Sequence, residues 1–146
     1  MLNFNVEIEN EIEALLTKHS EFYEKGNISE AGECLIKAYE IIPDIKEEYN
    51  ESYNYCSYVL DYILEEHYKL NTAEEWLKKL EKIEKHQKCW SGSYEFFAGK
   101  THFELHNYTL AKKFFNICVE VCEGFRSFEG EDSKYLDFYK NPKKYM

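Results

Sequence analysis

A pattern of five apolar residues occurs three times in this chain, each time just after a short polar turn. In each copy, apolar residues stand 3, 4, 7 and 10 positions after an alanine, which places all five on one face of an α-helix. Recurrence at this length scale is typical of helical-repeat proteins. The three copies are Ala31, Cys34, Leu35, Ala38 and Ile41; Ala73, Trp76, Leu77, Leu80 and Ile83; and Ala111, Phe114, Phe115, Cys118 and Val121.

The remainder of the chain also favours helices. Only 6 glycines and 2 prolines interrupt its 146 residues, and neither alternating strand patterns nor hairpin-spaced turn clusters occur. A chain of this length can bury a substantial core as one domain. The sequence therefore predicts an all-α fold that forms a single domain over residues 1–146.

The first predicted helix pair covers about residues 6–43. Its first helix ends at the Gly26-Asn27 break, and Ser29 is positioned to cap the second helix. That second helix carries the first apolar pattern and stops at Pro43, because proline cannot continue the hydrogen-bond ladder.

The second predicted pair covers about residues 44–88 and has an unusually long first helix. Apolar residues at helical spacing continue without a break from Asp44 to about Leu70, which predicts one helix of roughly 40 Å. Thr72 and Glu75 form a capping-box pattern at the start of the second helix, which ends near Gln87.

The third predicted pair covers about residues 91–124 and follows a turn at Trp90, Ser91 and Gly92. A helix is predicted from Tyr94 to His106, and the turn at Asn107–Thr109 matches the one at Asn27–Ser29. Because the last unit of a repeat array exposes an apolar face, residues 125–146 are predicted to form a capping helix. The alternative is that this aromatic segment folds into a binding groove or contacts the partner.

The third pair carries a resemblance to the tetratricopeptide repeat family. Ala98-Gly99 stands where that family has a Leu-Gly pair, Ala111 where it has its alanine, and Phe115 where it has a large apolar residue. The first pair supplies the aromatic residue, the alanines, the large apolar residue and the terminal proline: Phe22, Ala31, Leu35, Ala38 and Pro43. The resemblance implies a right-handed array of about three antiparallel helix pairs with a C-terminal capping helix.

The array departs from the family pattern in two respects. His19 in the first pair and Asp61 in the second occupy the place of the small residue. The pattern alanines lie 42 residues apart (31 to 73) and 38 residues apart (73 to 111), whereas the family repeats every 34 residues or so. A two-helix repeat of the HEAT type, with a period of about 40 residues, remains an alternative.

The resemblance also implies a binding surface, because the first helix of each pair lines a concave groove in that family. Aligning the three alanines gives the predicted groove residues: Glu13, Leu16, Tyr23 and Glu24; Tyr55, Tyr58, Tyr62, Glu65 and Glu66; and Phe96, Phe97, Lys100, Phe103 and Glu104. Tyrosines are favoured at interfaces, and the glutamates would recognise Lys or Arg. The alternative is that the tyrosines pack between neighbouring helices. The Lys and Asn residues that bind peptide carboxylates in some family members are largely missing.

Composition limits the possible partners. Eighteen basic against 28 acidic residues give a net charge of −10, which repels nucleic acids and anionic membranes and favours basic proteins. Arg126 is the only arginine, so the sequence contains no arginine cluster that could bind phosphopeptides.

Enzymatic activity is not expected, nor is a cofactor. His102 and His106, together with Cys118 and Cys122, have a spacing that could present four metal ligands, which leaves a metal-dependent helical enzyme as an alternative. However, His102 and Cys118 occupy positions that the repeat pattern buries. Phosphate-binding loops, nucleophile elbows and HExxH motifs are missing from the sequence.

The sequence predicts a cytoplasmic protein. Residues 1–16 lack the basic start of a secretory signal, and no apolar run approaches the length of a membrane span. Five cysteines, an odd number, argue against a disulfide framework.

The function predicted from these features is a non-catalytic protein-protein interaction module with an acidic, aromatic groove. In its most specific form it is an immunity-type protein that neutralises a basic toxin such as a nuclease, because charge complementarity would speed association. A general adaptor, chaperone or regulatory protein of the same repeat class is the alternative.

Overall fold

A computed structural model describes residues 1–88 and 91–146 and is all-α in these ranges, apart from one backbone bridge between Leu2 and Tyr49. The chain divides into two compact units, Met1–Gln87 (unit 1) and Lys88–Met146 (unit 2). The predicted helical fold class is therefore confirmed. The sequence predicts one domain, whereas the structure has two units, which are described separately here.

Unit 1 contains two packed helix pairs. α1 packs against α2, α3 packs against α4, and α2 also contacts α3. Two short 3-10 helices, Lys46–Glu48 and Leu70–Thr72, precede α3 and α4 respectively. The helices are α1 (Val6–Glu24), α2 (Ile28–Glu40), α3 (Ser52–Glu66) and α4 (Ala73–Gln87).

Unit 2 contains one helix pair and the C-terminal segment. Its helices are α5 (Ser93–Glu104), α6 (Tyr108–Cys122) and α7 (Ser133–Lys140). α5 packs along α6, and a 3-10 turn at Arg126–Phe128 connects α6 to α7. The predicted turn before α5 lies partly outside the described residues, because Trp90 is not among them; Gly92, at φ 84°, directly precedes the helix.

The three apolar patterns lie in the core, as predicted. Their first residues, Ala31, Ala73 and Ala111, have no exposed surface, and all five residues of the second pattern are buried. The last position differs in the other two copies. In the first copy, α2 ends at Glu40 before the pattern is complete. Ile42 is buried in the core there, whereas Ile41 is only partly buried. Val121, in the last turn of α6, is 47% exposed.

The predicted long helix from Asp44 to Leu70 is wrong. α3 begins only at Ser52 and ends at Glu66, where His67 adopts the left-handed conformation with φ 52°. The helix therefore has 15 residues instead of the 27 predicted. Its periodic apolar residues continue on the N-terminal side, but the chain there forms a 3-10 turn and extended backbone.

Contacts from distant residues explain why α3 begins late. The side-chain amide of Gln87 donates hydrogen bonds to the carbonyls of Glu47 (3.0 Å) and Tyr49 (2.7 Å). The backbone of Leu2 pairs with Glu48 and Asn50, at 2.9 Å in both cases. These bonds satisfy backbone groups that a longer helix would have used internally.

The turns within the first and third pairs share one conformation, as predicted. Asn27 and Asn107 precede α2 and α6 with similar backbone angles, φ −84° and ψ 76° against φ −91° and ψ 68°. Gly26 and His106 before them both have positive φ. Ser29 does not cap α2, because the helix already begins at Ile28 and places Ser29 in its first turn.

The C-terminal segment covers the third helix pair, as predicted for a cap. Phe138 of α7 is fully buried, and its ring lies 5.2 Å from Phe103 and 6.3 Å from Phe115. Tyr135 and Phe128 join the same cluster. The apolar face that α5 and α6 would otherwise expose is therefore covered.

No helix within residues 1–88 and 91–146 combines the length and the apolar character that crossing a membrane requires.

Gly99 marks the close contact between α5 and α6. A Cβ atom added there would lie 2.5 Å from ring atoms of Phe115, which is fully buried. We expect Gly99→Ala to lower the free energy of unfolding by about 1–2 kcal/mol, because the cost of overpacking exceeds the helix propensity gained by alanine. Urea denaturation followed by circular dichroism measures the change.

Asn116→Ala, on the exposed side of α6, is the matched control and should leave the free energy of unfolding nearly unchanged. A Gly99→Ala variant as stable as the wild type would show that α5 and α6 are not in close contact at this position.

Candidate functional site

The net charge of the protein is confined to one part of unit 1. Unit 1 has 20 acidic and 9 basic residues, a net charge of −11, whereas unit 2 has 8 acidic and 9 basic residues, a net charge of +1. Within unit 1, α4 contains four of each kind. The negative excess therefore belongs to residues 1–72.

Side-chain contacts connect the corresponding ends of α1 and α3 on this acidic part, so the two helices point in the same direction. Phe4, just before α1, places its ring 6.2 Å from Tyr55 near the start of α3. At the other end, the hydroxyl of Tyr23 donates a hydrogen bond of 2.8 Å to the Glu66 carboxylate. We call the outer surface of these two helices the α1/α3 face. It consists of Glu13, Tyr23, Glu24, Tyr55, Tyr58, Glu65 and Glu66.

Two tyrosines on the α1/α3 face are well exposed. Tyr23 is 47% exposed and Tyr58 is 48% exposed. Tyr55 is half-buried, with its ring perpendicular to that of Tyr58 at a centroid distance of 5.6 Å. Large rings with polar tips are thus accessible beside carboxylates.

Tyr62 does not belong to this surface, so its prediction as a groove residue is wrong. It is buried, and its hydroxyl donates a 2.7 Å hydrogen bond to the Ile28 carbonyl at the start of α2. Its ring packs 5.3 Å from His19 and 6.0 Å from Tyr68. Gly32 makes room for this packing, since a Cβ there would lie 2.9 Å from the Tyr62 ring. For this tyrosine, the alternative of packing between helices is correct.

His19 also has a structural role. Its Nδ1 atom lies 2.8 Å from the Ala31 carbonyl, which links α1 to α2. The imidazole occupies the space between the helices and uses its polar atom there.

The residues predicted for the groove in the third pair are mostly buried. Phe96, Lys100, Phe103 and Glu104 are each less than 8% exposed, so the expectation that they line an open groove is wrong. The C-terminal segment covers them, and Phe97, which is partly buried, lies 4.6 Å from the Lys100 ammonium.

The two buried charged residues of α5, Lys100 and Glu104, form ion pairs with the C-terminal segment. Lys100 forms a 2.8 Å ion pair with Glu131. Glu104 forms a 2.8 Å ion pair with Lys134 and accepts a 2.7 Å hydrogen bond from the Tyr135 hydroxyl. Burial of charge is costly without such partners, so this pairing fixes α7 in its position.

The pKa values of three tyrosines in unit 1 are raised, each for a different main reason or by a different amount. The hydrogen bond to Glu66, and the negative charge of that carboxylate, raise the pKa of Tyr23. Burial, followed by the charge of Glu51, raises the pKa of Tyr55. Burial raises the pKa of Tyr62 to about 12. Each phenol therefore stays protonated at neutral pH and can donate a hydrogen bond.

The four residues considered as metal ligands have other contacts. His102 stacks on Phe114 at 5.6 Å, and His106 lies 2.6 Å from the Tyr108 hydroxyl. Burial raises the pKa of the Cys118 thiol to about 11, which disfavours the thiolate form that binds metals. In the part of the chain that the structure describes, which leaves out Cys89, no three His, Cys, Asp or Glu residues come together around a possible ion.

The burial of Tyr62 predicts a pH dependence of stability. The pKa of Tyr62 is about 12 in the folded protein and near 10 in the unfolded chain. The contribution of the buried, protonated phenol to the free energy of unfolding is therefore complete below pH 10 and is lost as the pH rises towards 12. In this window, Tyr62 should lower the free energy of unfolding by about 1.4 kcal/mol per pH unit.

Tyr62→Phe should remove that part of the slope, at a cost of about 1 kcal/mol near pH 8 from the lost hydrogen bond to Ile28. Denaturation curves between pH 8 and 12 compare the two proteins. An identical slope in both would contradict the assigned burial of the phenol.

Comparison of this chain with protein-family models, with curated proteins and with solved structures finds no match in any of the three.

Proposed function

We propose that this chain is a non-catalytic protein-binding module whose α1/α3 face takes a basic partner. The observation that carries the proposal is the net charge of −11 within residues 1–72, of which −8 lies on α1 and α3, the two helices that also expose Tyr23 and Tyr58. Exposed tyrosines supply large contact areas at little entropic cost. Carboxylates beside them select positively charged partners.

The charge distribution favours rapid capture of such a partner. A concentrated negative field attracts a cationic surface over distances of about 10 Å at moderate salt. It also disfavours nucleic acids and anionic membranes, whose charges repel this face. The tyrosines would then contribute the short-range contacts that determine how long the complex lasts.

In its most specific form, the proposal is an immunity-type protein that neutralises a basic toxin such as a nuclease. A nuclease needs a cationic surface to bind the phosphate backbone of its substrate. An acidic protein that docks on that surface blocks access to the nucleic acid. The small size of this chain and its net charge of −10 suit such a blocking partner.

The first test uses two double variants that remove the same charge at different places. Glu13→Gln/Glu24→Gln changes exposed residues of the α1/α3 face, and Glu74→Gln/Glu75→Gln changes exposed residues of α4. The partner is isolated from the source cells on immobilised wild-type chain, and its affinity is measured by titration calorimetry at 50 and 300 mM salt. We expect the first variant to bind roughly 3- to 10-fold more weakly at low salt and the control to bind normally.

Tyr58→Ala should weaken binding about tenfold without changing helicity, because this ring is exposed and packs mainly on Tyr55. A partner affinity that does not respond to salt, or equal losses in both charge variants, would contradict recognition by the α1/α3 face.

The toxin-specific form has its own readout. A basic protein encoded next to this chain should arrest growth when expressed alone, and co-expression of the wild-type chain should restore growth. The Glu13→Gln/Glu24→Gln variant should protect less well than the α4 control. If the partner is harmless to cells, the protein is a general adaptor and the neutralising role is excluded.

A further inference from the structure

Within residues 1–88 and 91–146, three carboxylates contact a tyrosine and a lysine in the same way. In each case, a tyrosine hydroxyl donates a hydrogen bond to one carboxylate oxygen, and a lysine ammonium group forms an ion pair with the same oxygen. We call this arrangement the triad. The triads are Glu33 with Tyr68 and Lys69, Glu104 with Tyr135 and Lys134, and Asp137 with Tyr145 and Lys144.

The geometry of the triads is consistent. The lysine nitrogen lies 2.8 Å from its carboxylate oxygen in the first two and 3.0 Å in the third. In all three, the same nitrogen also lies 5.3 to 5.9 Å from the centre of the tyrosine ring. The ammonium group is therefore bound both by the carboxylate and by the electron-rich ring.

Elementary chemistry explains why the arrangement recurs. A carboxylate has about four lone-pair positions, and the tyrosine hydroxyl occupies one of them. The hydroxyl fixes the carboxylate beside the ring, and the remaining negative charge attracts a cation to the same place. A charge-assisted hydrogen bond then forms, which is stronger than a bond between neutral groups.

A fourth tyrosine-carboxylate pair occurs on the α1/α3 face. The Tyr23 hydroxyl donates a 2.8 Å hydrogen bond to Glu66, as in the triads. No lysine within residues 1–88 or 91–146 forms an ion pair with this carboxylate. In each triad the lysine is adjacent to the tyrosine in sequence, but Tyr23 is flanked by Phe22 and Glu24.

The surroundings of this fourth pair suit a cation from outside. Tyr23 is 47% exposed and Glu66 is half-buried, so both can be reached. The charge of Glu65 also acts on Tyr23 and increases the negative potential there.

We propose that the Tyr23-Glu66 pair is a receptor for the protonated amine of a lysine side chain on the partner. The ammonium group donates a hydrogen bond to Glu66 and lies against the ring of Tyr23, which completes the triad. This inference rests on the proposed function, since it specifies which group of a basic partner the α1/α3 face recognises.

The test uses a defined probe, the blocked tripeptide acetyl-Gly-Lys-Gly-amide, and the full chain. Its binding is followed by NMR chemical-shift titration at 20 mM salt, with the signals of Tyr23 and Glu66 assigned. We expect saturable shifts at these two residues. Glu66→Gln should weaken binding at least about fivefold, because it removes the charge and keeps the shape of the side chain. Tyr23→Phe should weaken it less, because the ring remains.

Two controls make the result specific. The same tripeptide with an acetylated lysine carries no charge and should produce no shifts at Tyr23 or Glu66. Glu74→Gln, which removes the same charge from an exposed residue of α4, should leave the affinity for the lysine tripeptide nearly unchanged. Circular dichroism establishes whether each variant is folded. If Glu66→Gln does not fold, Tyr23→Phe supplies an independent test of the receptor.

The amine receptor is excluded if the acetylated tripeptide binds as well as the charged one, or if Glu66→Gln binds as well as the wild type. Failure of this inference can be distinguished from failure of the proposed function. A basic partner that binds the wild type and Glu66→Gln equally would support the α1/α3 face while excluding the receptor. Specific tripeptide binding without any basic partner would support the receptor and contradict the function.

Discussion

Close contact between helices at residues with little or no side chain determines the structure of both units. Ala31, Ala73 and Ala111 are completely buried where the second helix of each pair meets its neighbours. At Gly32, the rings of Tyr68 and Tyr62 lie where a Cβ atom would otherwise stand, and at Gly99 the ring of Phe115 does so. Interiors packed at this density do not yield easily, so a larger residue at these positions must displace a ring or a helix.

The α1/α3 face depends on one of these contacts. Gly32 lets Tyr62 fill the space between α2 and α3 and donate its hydrogen bond to Ile28. With Tyr62 fixed there, Tyr23 packs against it at 6.2 Å and reaches Glu66. One tyrosine therefore supports the core while another, in contact with it, remains at the surface.

The helices could be predicted from local spacing, whereas long-range contacts could not. Residues three and four positions apart share a helix face, so the apolar patterns indicated the cores of all three pairs. The delayed start of α3 depends on Gln87 and Leu2, which lie far away in sequence. The covering of Phe103 and Glu104 depends on the docking of α7. Periodicity contains no information on which distant segment docks on a given face.

The same side chains have different roles when they are buried and when they are exposed. Glu104 is nearly inaccessible, so its charge requires both Lys134 and Tyr135 as partners in the folded protein. Glu66 is half-buried, so water can solvate its charge without a lysine and the pair with Tyr23 persists in the unbound protein. When a partner covers this site, water is displaced and attraction between opposite charges becomes stronger. A position that is stable without a cation and binds one more strongly when covered suits a reversible contact better than a structural one.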